Sequence, residues 1–418
     1  MSLSVSLRAF DSLALTALVG AALCSLGSAQ SSQRIIGLTR NAPFVVSQDV
    51  NTCNVGICPV ALPPSSTLAG FVGGTAHDPR DRGTFVSNGL QMAKIDVRST
   101  ACMPLCPVLP VPNTTPNNPV TGMAYNETTN TLFITDASNI IRWYSVAGGC
   151  QLTLINRCIA PISAVEILTG CATDDLNGLI FYSAVVPGVV GGRVYVAPQT
   201  NPCAILCAHP ILQCGANPMA PLTGLAFDTC TRTLWATDGR MSVAHNFDST
   251  TCTLFPQVQC CINTSGDPYV GLCILPPTEA SAGPSCTSLP CPSCPTMRHA
   301  LRGDPSIGNP AFALELNNAP GGTAAWLVLN LGPCAGPGVL APPLCAPILV
   351  PFAPPWLTVG PIGTGGAVGT CSGNLSLSFP IPLSPMFCGL TVSTQYIGLC
   401  GGPGTFVSNC LSWTIGST

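Results

Sequence analysis

The chain has 418 residues, enough for two or three domains with hydrophobic cores of their own. Only 7% of the residues are charged, and a formal net charge of -3 is spread without basic clusters or acidic runs, which argues against nucleic acid and anionic membranes as partners. Gly and Pro each number 42, so long helices are disfavoured and an all-β, turn-rich chain is expected.

Residues 1–29 are predicted to be a signal peptide. Arg8 precedes the apolar stretch LALTALVGAALCSLG, and the small residues Gly27 and Ala29 stand before a cleavage point after Ala29. No later segment offers eighteen apolar residues without prolines, so no transmembrane segment is expected after removal of the signal. The predicted location is therefore outside the cytoplasm, either secreted or in the cell envelope.

Cysteine usage agrees with export. Removal of the signal peptide takes away Cys24 and leaves 24 of the 25 cysteines, an even number that twelve disulfides would use completely. Cys291 and Cys294 are the only pair at Cys-x-x-Cys spacing, and a redox or zinc site is the alternative interpretation there. Because no second such pair accompanies them, structural bridging is favoured.

Residues 30–278 contain an internal repeat of about fifty residues. TGMAYNETTNTLFITD from Thr121 aligns with TGLAFDTCTRTLWATD from Thr223, and looser copies begin at Gly73 and Ala164. Each copy divides into three short strands separated by turn residues, followed by a fourth strand that starts near a cysteine. Four short antiparallel strands at this period predict the blades of a β-propeller, which bury their faces only by stacking around an axis.

Five cysteine pairs predict five blades. The first cysteines of these pairs lie 49, 48, 53 and 49 residues apart: Cys53, Cys102, Cys150, Cys203 and Cys252. The first unit lacks an inner strand, and the strand-like run DPYVGLCILPP from Asp267 is left over after the fifth. The last strand is therefore predicted to complete the first blade and close the ring, which removes two open sheet edges. A six-bladed ring with one divergent blade is the alternative.

The cysteines of these pairs are the disulfide candidates of the propeller: Cys53 and Cys58, Cys102 and Cys106, Cys150 and Cys158, Cys203 and Cys207, and Cys252 and Cys260. Pairing within a blade is favoured, because segments such as CMPLC can turn back and bring two Cα atoms within bonding range. The segment CQLTLINRC argues against it, since an extended strand would hold its ends about 26 Å apart. Pairing between blades therefore remains open.

The rest of the chain is predicted to form a linker and a second domain. Residues 279–302 are rich in Pro, Ser and Cys and are assigned to the linker. From 303 to 418, apolar runs such as AAWLVLNLG and LTVSTQYIGLC alternate with Gly and Pro clusters, which predicts a β-sandwich. Its six cysteines, from Cys334 to Cys410, can pair among themselves.

Two resemblances follow from these motifs. The blade sequences TGMAYN…LFITD and TGLAFD…LWATD resemble NHL and SMP-30-type β-propellers, in which a Gly-x-Ala-x-Asp strand leads to a strand ending in Asp, over roughly Gln33 to Pro277. The last domain resembles a C-terminal module of exported bacterial proteins of low charge, through PSIGNPAFAL, GLTVSTQ and SNCLSWTIG. The first resemblance implies an architecture and the second implies export and surface attachment. Neither implies an activity.

SMP-30-type hydrolases hold a divalent metal with Glu, Asn and Asp at the mouth of the central channel. For these roles the chain offers Asn88, Asp136, Asp238 and Glu166, which are the candidate binding residues of the propeller face, with calcium or zinc as the metal. Asn88, Asp136 and Asp238 follow the second strand of their repeats, where Asn or Asp most often caps a turn by accepting backbone amides. Turn capping is therefore the favoured interpretation.

Other polar residues have simpler interpretations. Asp78, Asn126 and Asp228 end the first strand of three blades and are expected to cap turns as well. His77 takes the repeat position of an aromatic residue and is expected to pack like one. No Gly-x-Ser-x-Gly or His-Glu-x-x-His motif is present, and the four histidines are isolated from acids and nucleophiles.

The sequence thus predicts a secreted binding or structural protein and favours a non-enzymatic role. The propeller would present a loop-built face to a protein, glycan or small-molecule ligand, and the C-terminal domain would anchor or orient it, with cell-envelope association as one outcome. No cofactor is expected. The alternative is a metal-dependent hydrolase or lactonase of the SMP-30 type, which would bind calcium or zinc.

Overall fold

The protein is described by a computed structural model over residues 34–39, 44–49, 53, 55–60, 72–98, 102–211, 221–263, 267–351 and 356–417. The predicted signal peptide lies outside this part of the chain. Within it there is no α-helix, only strands and two short 3-10 turns, Gly148–Cys150 and Pro385–Phe387. Over the same residues no helix has the length and apolar character needed to cross a membrane. The prediction of an all-β protein is confirmed.

The chain divides into two compact units between Pro276 and Pro277, and Gly416 and Ser417 belong to the N-terminal unit. The strands of the N-terminal unit are, in chain order, β1 (Arg34–Thr39), β2 (Phe44–Asp49), β3 (Val55–Pro59), β4 (Gly74–Asp78), β5 (Gly83–Ser87), β6 (Gln91–Asp96), β7 (Met103–Pro104), β8 (Leu109–Pro110), β9 (Val120–Asn126), β10 (Thr131–Asp136), β11 (Ile140–Ala147), β12 (Gln151–Ile159), β13 (Ile167–Asp174), β14 (Leu179–Val185), β15 (Arg193–Pro198), β16 (Cys207–Pro210), β17 (Gly224–Asp228), β18 (Thr233–Thr237), β19 (Met241–Asp248), β20 (Thr253–Ile262) and β21 (Tyr269–Leu275).

These strands form five antiparallel sheets, which are the blades of a propeller. Blade 1 has the order β21-β1-β2-β3, blade 2 contains β4 to β8, blade 3 contains β9 to β12, blade 4 contains β13 to β16, and blade 5 contains β17 to β20. The last strand pairs with the first, with Arg34 opposite Leu275, so β21 completes blade 1 as predicted. The propeller formed by the described residues has five blades rather than six.

The first strands of the blades surround the axis and touch one another in a ring. Each carries a glycine at the point of closest approach, and together we call them the glycine ring: Gly74, Gly122, Gly170, Gly224 and Gly271. A Cβ atom on Gly122 would lie 2.5 Å from the Cα atom of Gly170, and one on Gly224 would lie 2.6 Å from the carbonyl carbon of Gly271. Backbone packs directly against backbone here, so a side chain would force the blades apart.

The hydrophobic core of the propeller lies between blades. Five buried clusters are present, and each draws its residues from two neighbouring blades. Between blades 4 and 5, Phe181 stacks on Phe227 with ring centroids 4.8 Å apart, and Phe247 meets Phe181 edge-on at 4.9 Å. Burial of each such side chain stabilises the fold by about 1.5–3 kcal/mol. A blade without its neighbours would expose half of two clusters, so the blades depend on the complete ring.

Four disulfides connect neighbouring blades across these interfaces. They join blade 1 to blade 5, blade 2 to blade 3, blade 3 to blade 4, and blade 4 to blade 5: Cys53–Cys261, Cys106–Cys150, Cys158–Cys203 and Cys207–Cys252. Pairing within each blade, favoured from the sequence, is therefore wrong. The reason is visible in β12, which runs extended between Cys150 and Cys158 and so directs the two sulfur atoms to opposite neighbours. Cys102 and Cys260 are also disulfide-bonded, and the side chain of Cys58 lies outside the described part.

Two cysteines of the propeller are not oxidised. Cys171 and Cys273 are free thiols and are buried, so the prediction that disulfides use all 24 cysteines is wrong. Cys171 lies on β13 and Cys273 on β21, in the inner wall of the ring. Burial raises the pKa of the Cys171 thiol well above its usual value and that of Cys273 to about 12, so both stay protonated at neutral pH.

The C-terminal unit is a β-sandwich. Its strands are β22 (Ala280–Ala282), β23 (Cys286–Thr287), β24 (Arg298–Arg302), β25 (Ala313–Ala319), β26 (Ala324–Leu331), β27 (Trp356–Gly363), β28 (Gly373–Ser378), β29 (Thr391–Leu399), β30 (Thr405–Val407) and β31 (Cys410–Thr414). A seven-stranded sheet has the order β22-β31-β29-β26-β27, with β23 and β30 at its side, and a three-stranded sheet has the order β24-β25-β28. Aromatic contacts such as Phe312 on Trp413, 5.0 Å between centroids, fill the space between strands of this unit.

Residues 279–302, predicted to be a linker, belong to this sandwich. They supply β22, β23 and β24, and β22 pairs with the last strand of the sheet. Their cysteines also bond to the rest of the unit, in the pairs Cys286–Cys345, Cys291–Cys400 and Cys294–Cys371, while Cys334 bonds to Cys410. The six cysteines from Cys334 to Cys410 were expected to pair among themselves. Of the described bonds, only Cys334–Cys410 agrees with this prediction. Cys291 and Cys294 are structural, as favoured.

Candidate functional site

A cavity of about 30 Å³ lies on the propeller axis, next to the glycine ring. All five inner strands contribute to its wall, each through the third residue after its glycine: His77, Tyr125, Thr173, Phe227 and Ile274. Such a volume holds one or two water molecules and no organic ligand. No Asp or Glu is present among the described residues that line it. Among the described residues, the wall of this cavity therefore offers no carboxylate to a metal.

His77 is part of this wall. Its side chain is buried, and its Nδ1 lies 3.0 Å from the hydroxyl of Thr84 on the neighbouring strand. It occupies the position of Tyr125 and Phe227 in the repeat, as expected from the alignment, and packs in the same way. Its role is structural.

The metal candidates Asn88, Asp136 and Asp238 stand in the turns between the second and third strands of blades 2, 3 and 5. The Oδ1 atoms of Asn88 and Asp238 each accept the backbone amides two and three residues later, at 2.8–3.2 Å. Oδ1 of Asp136 accepts the amides two and four residues later, at 2.9 and 3.0 Å. All three side chains cap their own turns, as the favoured interpretation predicts.

Asp136 has a second partner. Its Oδ2 forms an ion pair with Arg142 on β11, and both side chains are buried. Since each charge is balanced by the other inside the protein, removal of either would leave an uncompensated buried charge. The oxygen atoms of Asp136 that a metal would need are thus engaged in structural bonds.

Glu166, the fourth candidate, lies in the connection between β12 and β13. Its Oε2 accepts the amide of Ser163 at 3.0 Å and the hydroxyl of Tyr195 at 2.8 Å. Burial, and secondarily the bond to Glu166, raise the pKa of the Tyr195 hydroxyl. The side chain of Asn139 donates to the Glu166 carbonyl at 2.8 Å, which places this connection beside the Asp136 turn. We call this end of the blades the second-turn end.

The candidates do not assemble into a metal-ligand cluster. Among the described residues, only Cys207, His209 and Cys252 bring three ligand atoms of His, Cys, Asp or Glu within 4.8 Å of one another. The sulfur atoms of that group are joined to each other in a disulfide, and His209 Nε2 lies 2.8 Å from the carbonyl oxygen of Cys252. This group therefore consists of an inter-blade disulfide and the histidine beside it, not of three free metal ligands.

At the opposite end of the blades, the turns after the first strands carry Asp78, Asn126 and Asp228. Each accepts backbone amides of its own turn, at 2.7–3.2 Å, as expected. Asp78 also bonds through Oδ2 to Nζ of Lys94 at 2.6 Å, and both side chains are buried. These hydrogen bonds stabilise the turns between the first and second strands, and we call this end of the blades the first-turn end.

A polar chain at the first-turn end was not expected from the sequence. The guanidinium of Arg80 donates to the Glu127 carbonyl at 2.7 and 3.2 Å, the Glu127 amide donates to Asp175 at 2.9 Å, and Gln199 donates to Asp175 at 3.0 Å. The chain links blades 2, 3 and 4. Burial raises the pKa of Asp175 to about 7. The only sequence signal was the doubled acid in TDD of the fourth repeat, where the other repeats have a single Asp or Asn.

Comparison with known proteins finds similarity to solved structures alone. No protein-family profile matches the chain, and no curated protein matches it. Among solved structures, the chain is similar to the β-propeller domain of Cps50 (Swd1) from Myceliophteria thermophila, at 10% identity over 56% of this chain and 72% of that chain with a TM-score of 0.34. It is similar to a chain of the nidogen/laminin complex, at 10% identity over 58% and 98% with a TM-score of 0.36. It is also similar to Kuenenia stuttgartiensis hydrazine synthase, at 11% identity over 52% and 77% with a TM-score of 0.32.

Proposed function

We propose that the protein is an exported, non-enzymatic binding or structural protein, in which the propeller carries a ligand face and the C-terminal sandwich anchors or orients it. The observation that carries this proposal is that the described cavity on the axis is small, about 30 Å³, and has no Asp or Glu in its wall, whereas a propeller enzyme of the SMP-30 type would hold a metal with carboxylates at the mouth of its channel. The four residues considered for that role instead bond the backbone of their own turns. Recognition is therefore assigned to the outer surface of the loops.

The second-turn end is the preferred ligand face. Its turns are rigid, because Asn88, Asp136, Asp238 and Glu166 bond their own backbone, and inter-blade disulfides fix the blades that carry them. A rigid surface loses little conformational entropy on binding. Its ligand is a protein, glycan or small molecule. Export to the outside of the cell or to the cell envelope is supported by the number of disulfides, which persist in oxidising compartments.

A metal titration separates this proposal from the hydrolase alternative. The full-length oxidised protein is melted with calcium chloride or zinc chloride, and a metal at a hundred times its dissociation constant would stabilise the fold by about 2.7 kcal/mol. We expect no shift in melting temperature. A saturable shift that is lost in Asp238→Asn but kept in the first-turn variant Asp228→Asn would favour the metal-dependent hydrolase.

Fractionation tests the assigned location. In the native host, the protein is expected in the culture medium or the envelope fraction, with the four inter-blade disulfides recovered in a non-reducing peptide map. Recovery in the cytosol with reduced cysteines would contradict the proposal.

A further inference from the structure

His209 lies beside one of the inter-blade disulfides. It follows Cys207 by two residues on β16, so both side chains lie on the same face of that strand, and Cys207 is bonded to Cys252 of blade 5. One ring nitrogen of His209 and the two sulfur atoms lie within 4.8 Å of one another. Two potential metal-ligand atoms thus come from blade 4 and one from blade 5.

The other repeats have no histidine at this place. The residue two positions after the second cysteine of each pair is apolar in the other four repeats: Val60, Val108, Ala160 and Ile262. Packing at this position therefore does not require an imidazole. His209 is the one residue of this repeat position that can bind a metal.

A backbone hydrogen bond determines which nitrogen of His209 can act as a ligand. Nε2 lies 2.8 Å from the carbonyl oxygen of Cys252. Because a carbonyl only accepts, Nε2 carries the proton, and in the neutral ring Nδ1 keeps its lone pair. Metal-binding histidines are commonly held in this way, with one nitrogen donating to a carbonyl and the other bound to the metal.

Oxidation decides whether the sulfur atoms can bind a metal, since a disulfide offers no thiolate. A dithiol that reduces the bond between Cys207 and Cys252 gives it two electrons and two protons, leaves two thiols and itself becomes a disulfide. A zinc ion then displaces both thiol protons into solvent. Tetrahedral zinc holds its sulfur and nitrogen ligands about 3.6–3.8 Å apart, which agrees with the 4.8 Å within which these atoms already lie.

Apolar packing keeps the two cysteines near each other without the bond. Both side chains lie against the buried cluster between blades 4 and 5, which contains Phe181, Phe227 and Phe247. The two blades are therefore held together by this cluster as well as by sulfur.

We propose that Cys207, His209 and Cys252 form a redox-gated zinc site, which the disulfide closes and its reduction opens. Zinc then replaces the disulfide as the link between blades 4 and 5. Thiolate and imidazole select zinc over calcium and magnesium, which prefer oxygen ligands. The site is closed in the oxidised protein, so this inference is independent of the ligand face and of the metal titration of oxidised protein.

Alkylation after mild reduction tests the proposal on the full-length wild-type protein. A water-soluble phosphine is the reductant, because dithiols compete for zinc; it takes an oxygen atom from water and becomes its oxide. Labelling of each cysteine by iodoacetamide is then measured by mass spectrometry over a titration with zinc chloride. At ten times the dissociation constant, zinc should slow the labelling of Cys207 and Cys252 about tenfold.

Cys158–Cys203 is the matched control within the same molecule. Like Cys207–Cys252, it joins neighbouring blades at a sequence separation of 45, has two half-buried cysteines and packs against an inter-blade cluster. Ala160 stands in the place of the histidine. Zinc should therefore leave the labelling of Cys158 and Cys203 unchanged.

His209→Gln distinguishes a zinc ligand from a structural hydrogen bond. The glutamine amide can still donate to the Cys252 carbonyl but gives zinc no imidazole nitrogen, so the zinc concentration for half-maximal protection should rise at least about tenfold. Equal protection of both cysteine pairs, no protection of Cys207 and Cys252, or undiminished protection in His209→Gln would overturn the proposal. So would a Cys207–Cys252 bond that the phosphine cannot reduce while the propeller stays folded, because the site would then never open.

Discussion

Replacement of His299 by phenylalanine is expected to remove most of the acid sensitivity of the C-terminal unit. His299 is fully buried on β24, with its ring 4.9 Å from that of Tyr396. Burial lowers the pKa of His299 from 6.5 to about 3. Residues 277–415 contain no other histidine and only three carboxylates, Glu279, Asp304 and Glu315, so few other groups contribute.

The direction in which the free energy of unfolding changes with pH follows from proton binding at His299. Between pH 6.5 and 3 the unfolded chain binds a proton at His299 that the folded chain excludes. Stability is therefore complete above pH 6.5 and falls by about 1.4 kcal/mol per pH unit below it, about 5 kcal/mol in all by pH 3. Between pH 7 and 5 the wild-type unit should lose about 2 kcal/mol from this residue. His299→Phe keeps an aromatic ring against Tyr396 and has no proton to bind, so this loss should disappear.

Urea unfolding of the full-length protein at pH 7 and 5, with pulse hydrogen exchange of peptides from β24 and β29, reports on this unit alone. His209→Phe, in the propeller, is the matched control and is expected to keep the wild-type pH dependence of the C-terminal unit. The same pH slope in wild type and His299→Phe would refute the reasoning. So would an imidazole NMR signal, absent in His299→Phe, that titrates near pH 6.5 in the folded protein.

Three further outcomes are expected. Gly122→Ala brings a Cβ atom within 2.5 Å of the next blade's backbone and should lower the free energy of unfolding by at least about 3 kcal/mol in thermal melting. In the control Gly148→Ala the new Cβ atom meets nothing within 4 Å, so the free energy of unfolding should change by no more than about 0.5 kcal/mol. Lys94→Met leaves a buried carboxylate without its cation and should cost about 3–5 kcal/mol; a loss below about 1 kcal/mol would contradict this. Cys171 and Cys273 should react with iodoacetamide only after unfolding, and labelling of the native protein, mapped by mass spectrometry, would be the contrary result.

The ring could be predicted from the sequence because its strands repeat. The Gly-x-Ala motif recurs in the inner strands at Gly74, Gly122, Gly170 and Gly224, and the missing strand at the start of the chain matches the extra strand at its end. The structure explains why the motif keeps a glycine, which is the close approach of backbones around the axis. The number of blades and the closure by β21 followed from pattern alone.

Disulfide connectivity could not be predicted in this way. Cys150 is near Cys158 in sequence, but the strand between them is extended, and the sulfur of Cys106 on the preceding blade is the one within reach. The distance between cysteines of neighbouring blades depends on how the sheets stack, and the spacing of cysteines in the sequence gives no information about that stacking. In the chain-entropy model the longer loops closed by these bonds give about 4 kcal/mol each, about twice the value for bonds within a blade.

The sequence contained an indication that Cys171 is a free thiol, but an even number of cysteines suggested that all of them are paired. Cys171 stands where Met123 and Leu225 stand in other repeats, so the position requires an apolar side chain and not a bond. The sandwich strand β22 was missed for another reason. Its residues, Ala280–Ala282, have no strand-like composition, and they become a strand only because distant β31 lies beside them.

The candidate site was predictable only in part. Turn capping by Asp136 follows from its place at the end of a strand, but its ion pair with Arg142 requires the third strand to bend back beside it. Asp175 was overlooked because its partners, Glu127 and Gln199, come from other turns around the ring. These contacts depend on how strands fold back and pack against one another, which residue spacing alone does not give.

The inter-blade disulfides give the chain a second covalent path around the circumference of the ring. The four described bonds connect blades 2, 3, 4, 5 and 1 in succession, independently of the peptide backbone that joins the same blades. A protease that cuts a single connection between two blades would therefore release no fragment, since both sides of the cut stay attached through sulfur. A molecule with one such cut would remain assembled in the presence of proteases, and the cut would become visible only after reduction of the disulfides.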